Sequence, residues 1–232
     1  MDSMPLKHIA IYGGTFCPIH NAHLKIACFL QNKFKFDEFR FLPNKAPVLD
    51  KTPEASLKHR LAMLALALAP YTQFKIDRHE VERLTPSFMV QTLEDIREEE
   101  ADRVVISLIL GMDSFKNFHR WREWEKIISL CNLIVIERPD CEVMPLAPPL
   151  QDKVDGGQLH QITDAALLSL EATGGFFRCN AGLYAISSTA IRECIQTGQD
   201  ASAYLPTPVW NYIMSHNLFG YPGNKGDKGV SS

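Results

Sequence analysis

Two glycines and two histidines lie close together near the start of the chain. His20 and His23 are three residues apart, and they follow Gly13 and Gly14, which come directly after a short apolar run. Glycines at the end of a strand let main-chain N–H groups approach a phosphate, and the first turn of a following helix adds unpaired N–H groups. With two imidazole donors, these groups would form an anion site suited to the charge that builds on phosphate oxygens during a transfer reaction.

A tight turn and a metal site are the two simpler explanations of this motif. Glycine pairs after strands are common turn chemistry, and one histidine alone is most simply a capping or core residue. A zinc site would need a third ligand, for which Cys17 is the single close candidate. The presence of both histidines beside the glycines favours the anion site.

A second cluster of polar residues lies near the end of the chain, in the segment "ISSTAIR". Ser187, Ser188 and Thr189 precede or begin a predicted helix, and Arg192 follows one turn later. Hydroxyls, free N–H groups and a guanidinium in this order would form a second anion site. The simple alternative is a serine N-cap followed by an exposed arginine.

The elements that must position these residues alternate along the chain. Continuous apolar runs without alternation predict buried strands at His8–Tyr12, Glu38–Leu42, Gln73–Ile76, Arg103–Leu110, Leu133–Glu137 and Phe176–Cys179. Helical patterns occupy residues 22–33, 54–69, 87–100, 121–130, 188–197 and 207–216. This order predicts an α/β fold, a Rossmann-like doubly wound parallel sheet with helices on both faces, in which ligands bind beyond the carboxyl ends of the strands.

Length and composition favour one large domain with small partners. With 232 residues, 46% of them hydrophobic, we expect a single domain over residues 1–219, with an irregular insertion at 139–175 and a disordered tail at 220–232. The net charge of −3 gives no basic field for nucleic acid. No apolar stretch reaches the roughly 18 residues that span a bilayer. We expect a soluble, cytoplasmic monomer or homodimer that binds neither nucleic acid nor membranes.

Both motifs resemble signatures of a known enzyme family. "GGTFCPIHNAHL" and "ISSTAIR" are similar to the two signatures of bacterial nicotinate mononucleotide adenylyltransferases, in the HxGH nucleotidyltransferase superfamily. Further segments follow the family's order: "LPNKAP", "PSFMVQTL", "LGMDS", "WREWEKI", "LIVIERP" and "YLPTPVWNYI". The resemblance covers about residues 8–219. It implies transfer of AMP from ATP to nicotinate mononucleotide, which yields deamido-NAD and pyrophosphate in NAD biosynthesis.

The resemblance also implies the roles of individual residues. His20, His23 and Arg192 would be catalytic through charge stabilisation. ATP would contact Gly13, Gly14, Thr15, Phe16, Gly111, Asp113, Ile186, Ser187, Ser188 and Thr189. The mononucleotide would contact Asn44, Lys45, Pro86, Ser87, Trp121 and Arg138, with Trp121 stacked on the nicotinate ring and the helix start after Pro86 favouring its carboxylate. Mg²⁺ would be held mainly by the phosphates of ATP, without a metal site of the protein's own.

The sequence departs from the family pattern at several positions. Cys17, Ala22 and Met89 replace the usual aspartate, glycine and threonine, and Val48-Leu49-Asp50 stands where the family often has a histidine and a cation. Lys45 or Lys51 is the candidate replacement for that cation. These departures keep two alternatives open. One is an adenylyltransferase for nicotinamide mononucleotide or another phosphate acceptor, and the other is a nucleotide-binding regulator without catalysis.

Overall fold

The computed structural model describes residues 6–45, 53–86, 88–100, 103–137, 145–182 and 186–221. Seven strands form one parallel sheet in the order β3-β2-β1-β4-β5-β7-β6. They are β1 (Lys7–Gly14), β2 (Glu38–Pro43), β3 (Phe74–Ile76), β4 (Val104–Gly111), β5 (Asn132–Glu137), β6 (His160–Gln161) and β7 (Gly175–Asn180). The strand order reverses between β1 and β4, so the crevice beyond their carboxyl ends is where a ligand is expected.

Helices cover both faces of this sheet. They are α1 (Asn21–Phe34), α2 (Leu57–Leu68), α3 (His79–Glu82), α4 (Met89–Glu99), α5 (Met112–Lys116), α6 (Trp124–Leu130), α7 (Pro148–Asp155), α8 (Ser188–Gln196) and α9 (Thr207–Ser215). Ala10 and Tyr12 of β1 pack with the buried residues of α1, α2, α8 and α9, whereas Ile9 and Ile11 pack with those of α4 and α6. The predicted Rossmann-like α/β fold is thereby confirmed.

The six predicted strands and six predicted helices are all present, with small shifts at their ends. The helix predicted over 121–130 begins only at Trp124, so Trp121 lies before it in extended backbone. The helix predicted over 54–69 begins at Leu57, because the Ser56 side chain caps it by accepting a hydrogen bond from the His59 N–H.

The segment predicted as an irregular insertion is more regular than expected. Residues 145–175 contain α7, the edge strand β6 and a short 3₁₀ helix at Ala165–Ser169. Prolines in this segment indicated irregular backbone, but Pro148 and Pro149 stand in the first turn of α7, where the missing N–H costs nothing. Most of the predicted tail lies outside the described residues. None of the helices described in the chain is long and apolar enough to cross a membrane.

Candidate active site

The loop between β1 and α1 carries the glycine and histidine motif. Neither Gly13 nor Gly14 has a positive φ, and the residue of this loop with left-handed backbone is Phe16, with φ of 46°. A Cβ on Gly14 would approach the Phe16 ring to 2.9 Å, whereas one on Gly13 would lie 3.5 Å from the Met89 side chain. Gly14 is therefore required because the Phe16 ring, itself only 2% exposed, folds back onto it.

His20 and His23 are brought together at the start of α1. His20 is the N-cap residue, and its backbone N–H donates to Nδ1 of His23 at 3.3 Å. The two rings stack with their centroids 3.8 Å apart. Since Nδ1 of His23 accepts this bond, the neutral ring carries its proton on Nε2. Nδ1 of His20 is buried and has no hydrogen-bond partner in the described part of the chain.

Both imidazoles are neutral at pH 7 in the absence of ligand. Burial lowers the pKa of His20 to about 4. Burial also holds the pKa of His23 well below its ordinary value, and the adjacent His20 lowers it further. The pair therefore offers N–H donors rather than fixed positive charges, and an anionic phosphate placed against the rings would favour their protonation.

The second motif docks directly on the first. Ser188 Oγ donates to the backbone oxygen of Pro18 at 2.9 Å, and Arg192 Nη1 donates to that of Cys17 at 3.0 Å. Ser187 is the N-cap of α8 and its Oγ accepts from the Ala190 N–H, as in the simple capping explanation. The start of α8 thus lies beside the start of α1, although the two segments are far apart in sequence.

Several contacts restrain the remaining polar groups of the second motif. Arg192 Nε pairs with Glu54 Oε1 at 2.8 Å, and its Nη2 lies 3.5 Å from Thr189 Oγ1. Ile186 is half-buried against the core that includes α8. Arg192 is consequently a restrained, mostly buried cation, not the freely exposed arginine of the simple alternative.

A cavity of about 740 Å³ opens beyond the ends of β1 and β4. Seven of the predicted contact residues line it: Gly13, Gly14, Thr15, Asn44, Gly111, Asp113 and Trp121. The histidines and the α8 motif adjoin the same opening loop but do not line this cavity. Trp121 lines the cavity, whereas Trp124 does not. Ser87 and Arg138 lie outside the described residues.

Comparisons with known proteins decide the family. A model of the cytidylyltransferase-like family matches residues 11–194. A probable nicotinate-nucleotide adenylyltransferase of Legionella pneumophila (strain Paris) is 42% identical over 92% of this chain and 100% of its own length. One from Serratia proteamaculans (strain 568) is 35% identical over 90% of this chain and 94% of its own. The chain belongs to the nicotinate-nucleotide adenylyltransferases of the cytidylyltransferase-like family. It is thus a nucleotidyltransferase.

A solved structure supports the same fold for this family member. The nicotinic acid mononucleotide adenylyltransferase of Plasmodium falciparum, complexed with NaAD, superposes with a TM-score of 0.69. It is 21% identical, and the match covers 93% of this chain and 98% of the other. At this identity the likeness concerns the fold alone.

A buried arginine that the sequence did not single out holds the adenylyltransferase loops together. Arg60 of α2 is 1% exposed and donates to the backbone oxygens of Thr15 and Lys45, each at 2.9 Å, and to Asn44 Oδ1 at 3.4 Å. Asn44 Nδ2 in turn donates to Thr15 Oγ1 at 3.0 Å. The predicted contact residues Thr15 and Asn44 are therefore positioned by Arg60. An arginine within a helical pattern gives no signal of this burial.

The cation expected near the substrate phosphate is not supplied by Lys45 in this arrangement. Lys45 Nζ donates to the backbone oxygen of Arg83 at 2.6 Å, and Lys45 does not line the cavity. Lys51 lies outside the described residues. In the part of the chain that the structure describes, the arginines that line the cavity are Arg120 and Arg122, and the Arg122 guanidinium lies 4.5 Å from the centroid of the Phe88 ring. Sequence analysis missed both arginines.

Three of the four departures from the family pattern are accommodated locally, and the fourth, Val48-Leu49-Asp50, lies outside the described residues. Cys17 is 5% exposed and contributes its backbone oxygen to Arg192. Ala22 is buried in the first turn of α1 without a positive φ, so its methyl group causes no backbone strain. Met89 begins α4 and lines the cavity.

Proposed function

We propose that the protein transfers the adenylyl group of ATP to nicotinate mononucleotide, releasing pyrophosphate and deamido-NAD. One observation carries this proposal: the α8 motif is hydrogen-bonded to the loop of the first motif through Ser188 and Arg192. Transfer between two phosphates needs one site for the reacting phosphate and one for the departing phosphates. The contact supports two neighbouring anion sites at the edge of the sheet where a ligand is expected.

The reaction is a direct displacement at phosphorus. An oxygen of the mononucleotide phosphate forms a bond to the α-phosphorus of ATP, and the bond from that phosphorus to the bridging oxygen of the β-phosphate breaks. Pyrophosphate leaves with the bonding electron pair. Because the attacking phosphate is largely ionised near pH 7, no general base is needed and catalysis consists of positioning and charge stabilisation. No covalent enzyme intermediate forms.

In this proposal His20 and His23 donate to phosphate oxygens of ATP as charge builds on them. Removing these buried rings from water has lowered their pKa, and the negative charge of ATP would raise it again. Arg192 and the free N–H groups at the start of α8 hold the departing phosphates. All of these groups are fixed by the protein before substrate arrives, which is what electrostatic stabilisation requires.

Magnesium, in this proposal, arrives with ATP. In the described ranges no group of three or more His, Cys, Asp or Glu residues is placed to hold a metal ion. Because Mg²⁺ keeps several waters and commonly binds through substrate phosphates, its ligands would be mainly phosphate oxygens and water, and the ion would neutralise part of the polyphosphate charge.

The cavity suits the mononucleotide and the ribose of ATP. Its volume of about 740 Å³ falls in the usual range for small-molecule sites. Trp121 would stack on the pyridine ring, and Asp113, exposed in the first turn of α5, would accept hydrogen bonds from a ribose diol. The Plasmodium falciparum enzyme has been solved in two complexes, one with NaAD and one with APC, and both agree with these substrates. We place the reaction in the cytoplasm.

Pyrophosphate release tests the proposal. The protein would be incubated with ATP and Mg²⁺ and either nicotinate or nicotinamide mononucleotide, at equal concentrations. We expect rapid release with the acid and slow release with the amide. Faster release with the amide would move the assignment to the amide substrate. Release with neither, from folded protein that still binds ATP, would contradict catalysis and favour a nucleotide-binding regulator.

A further inference from the structure

A glutamate outside the predicted site lines the cavity. Glu80 belongs to α3, the single-turn helix between β3 and α4, and its side chain contributes to the cavity wall together with Asn44, Met89 and Trp121. It is nevertheless only 6% exposed. A carboxyl group in this position is unusual, because glutamate is rarely buried without a partner.

The Glu80 carboxyl forms no hydrogen bond or ion pair with any described residue. Arg83, whose charge acts on Glu80, is already paired with Asp95 of α4. Asp77, on the other side in sequence, accepts from His79 and Arg40 and adds a second negative charge near Glu80. Neither Glu80 oxygen is among the fully buried side-chain atoms that lack a hydrogen-bond partner, so the carboxyl remains accessible to a ligand on the side where Glu80 lines the cavity.

The surroundings of Glu80 determine its protonation. Burial raises the pKa of this carboxyl to about 7, Arg83 opposes the shift, and the charge of Asp77 adds to it. Among the described residues, the other charged groups that line the cavity are Asp113 of α5 and the arginines Arg120 and Arg122, which precede α6. Near pH 7 the ligand-free protein therefore contains Glu80 in both forms.

We propose that Glu80 binds the mononucleotide as a neutral carboxylic acid, donating its proton in a hydrogen bond to an anionic oxygen of the ligand. The proposal rests on the proposed function, because it takes an acidic mononucleotide as the occupant of the cavity. Such a ligand carries a carboxylate on its ring and a phosphate on its ribose. Two anionic oxygens cannot share a buried site unless one of them holds a proton, as in paired carboxylates. Binding thus takes up a proton.

Glu80 then links substrate affinity to pH. Above its pKa the carboxyl is ionised and must be protonated before the ligand binds, so affinity falls about tenfold per pH unit well above that value. Glu80→Gln removes the charge and keeps a hydrogen-bond donor of similar size. Binding to this variant would be independent of pH between 7 and 8.5, where the ligand phosphate is ionised, and at pH 8 it would be about tenfold tighter than binding to the wild-type protein.

Calorimetric titration of nicotinate mononucleotide tests the linkage. The full chain would be titrated at pH 7.5 in buffers with different ionisation enthalpies, so that the heat reports protons taken up. We expect uptake approaching one proton per site for the wild type and none for Glu80→Gln. Glu82→Gln is the matched control, since Glu82 lies on the same helix, has a side chain 68% exposed and does not line the cavity. It should behave as the wild type.

A second titration, with nicotinamide mononucleotide, shows whether the ring carboxylate or the phosphate of the ligand accepts the hydrogen bond from Glu80. If the ring carboxylate accepts the bond, nicotinamide mononucleotide binds without proton uptake, and if the phosphate accepts it, both ligands take up a proton. Equal uptake by wild type and Glu80→Gln would overturn the proposal. Should this variant fail to fold, infrared spectroscopy of the wild type decides, because the band of a protonated carboxyl must grow on binding.

The proposed function and the role of Glu80 fail in different ways. Proton-linked binding is measured without ATP, so it does not depend on transfer. Absence of pyrophosphate release alongside proton uptake at Glu80 would contradict only the catalytic assignment. Pyrophosphate release together with pH-independent binding of the mononucleotide would contradict only the role of Glu80.

Discussion

Arg192 Nη1 donates a hydrogen bond to the backbone oxygen of Cys17 at 3.0 Å, joining the second motif to the first. The remaining side chain contacts Glu54 and Thr189. This arrangement fixes the guanidinium beside the loop that precedes α1 before any substrate is present. Replacing Arg192 should therefore affect transfer far more than folding.

Arg192→Lys should lower kcat by about 10²–10³, because an ammonium is a point charge and cannot contact Cys17 and a phosphate in the same fork geometry. Glu54→Gln is the control: Glu54 is half exposed, so its ion pair contributes at most about 1 kcal/mol and kcat should change only a few-fold. Pyrophosphate release and thermal melting would be measured for both. Similar losses of kcat in the two variants would indicate that Arg192 only fixes the loop.

His20 has a structural and a proposed chemical role, and one substitution separates them. His20→Asn keeps a residue that caps helices well at the start of α1 but removes the imidazole. We expect kcat to fall by about 10²–10³ with an unchanged circular dichroism spectrum. His160→Gln, at an exposed position, should retain the wild-type rate. A normal kcat in His20→Asn would remove His20 from the catalytic residues.

The sequence predicted the sheet and the motifs because both depend on local patterns. The buried strand Val104–Gly111 is a continuous apolar run, and the glycine and histidine motif lies within one turn between a strand and a helix. Arg60 and Glu80 were not predicted. Their burial results from the packing of α2 and α3 on distant segments, and charged residues in short helical stretches usually face solvent. The contact from Arg192 to Cys17 likewise has no signature in either segment.

Gly14→Ala should destabilise the protein, because the new methyl group would meet the Phe16 ring at 2.9 Å and that ring is enclosed. We expect the free energy of unfolding to fall by about 1–3 kcal/mol. Gly111→Ala is a suitable control for stability, since nothing lies within 4 Å of a Cβ there and its φ is −71°. Thermal melting would compare them. If both variants melt like the wild type, the Phe16 ring is not held as tightly as the contact indicates.

Arg60 should affect binding in the cavity, because it connects the two loops that carry Thr15 and Asn44. Arg60→Met leaves the backbone oxygens of Thr15 and Lys45 without their donor, and each lost bond costs about 1–3 kcal/mol where the oxygen stays buried. We expect a lower melting temperature and a KM for the mononucleotide raised about tenfold, as Asn44 loses its anchor. Arg60→Lys should recover part of the stability and less of the KM. An unchanged KM in a destabilised Arg60→Met would confine Arg60 to folding.

Acid should destabilise the protein through its buried histidines. Burial lowers the pKa of His20 and of His8 to about 4 each, so between about pH 6.5 and pH 4 the unfolded chain binds more protons than the folded one. The contribution of these two histidines to the free energy of unfolding therefore rises with pH across this window and falls on acidification, by about 3 kcal/mol for each histidine.

Urea denaturation at pH 7 and pH 4.5 measures this loss. His20→Asn should lose about 2 kcal/mol less stability than the wild type over the interval, because one of the groups that must stay neutral is gone. His160→Gln, at an exposed position, should follow the wild type. An equal loss in His20→Asn would mean that the His20 ring becomes protonated as readily in the folded protein as in the unfolded chain, and that its burial does not keep it neutral.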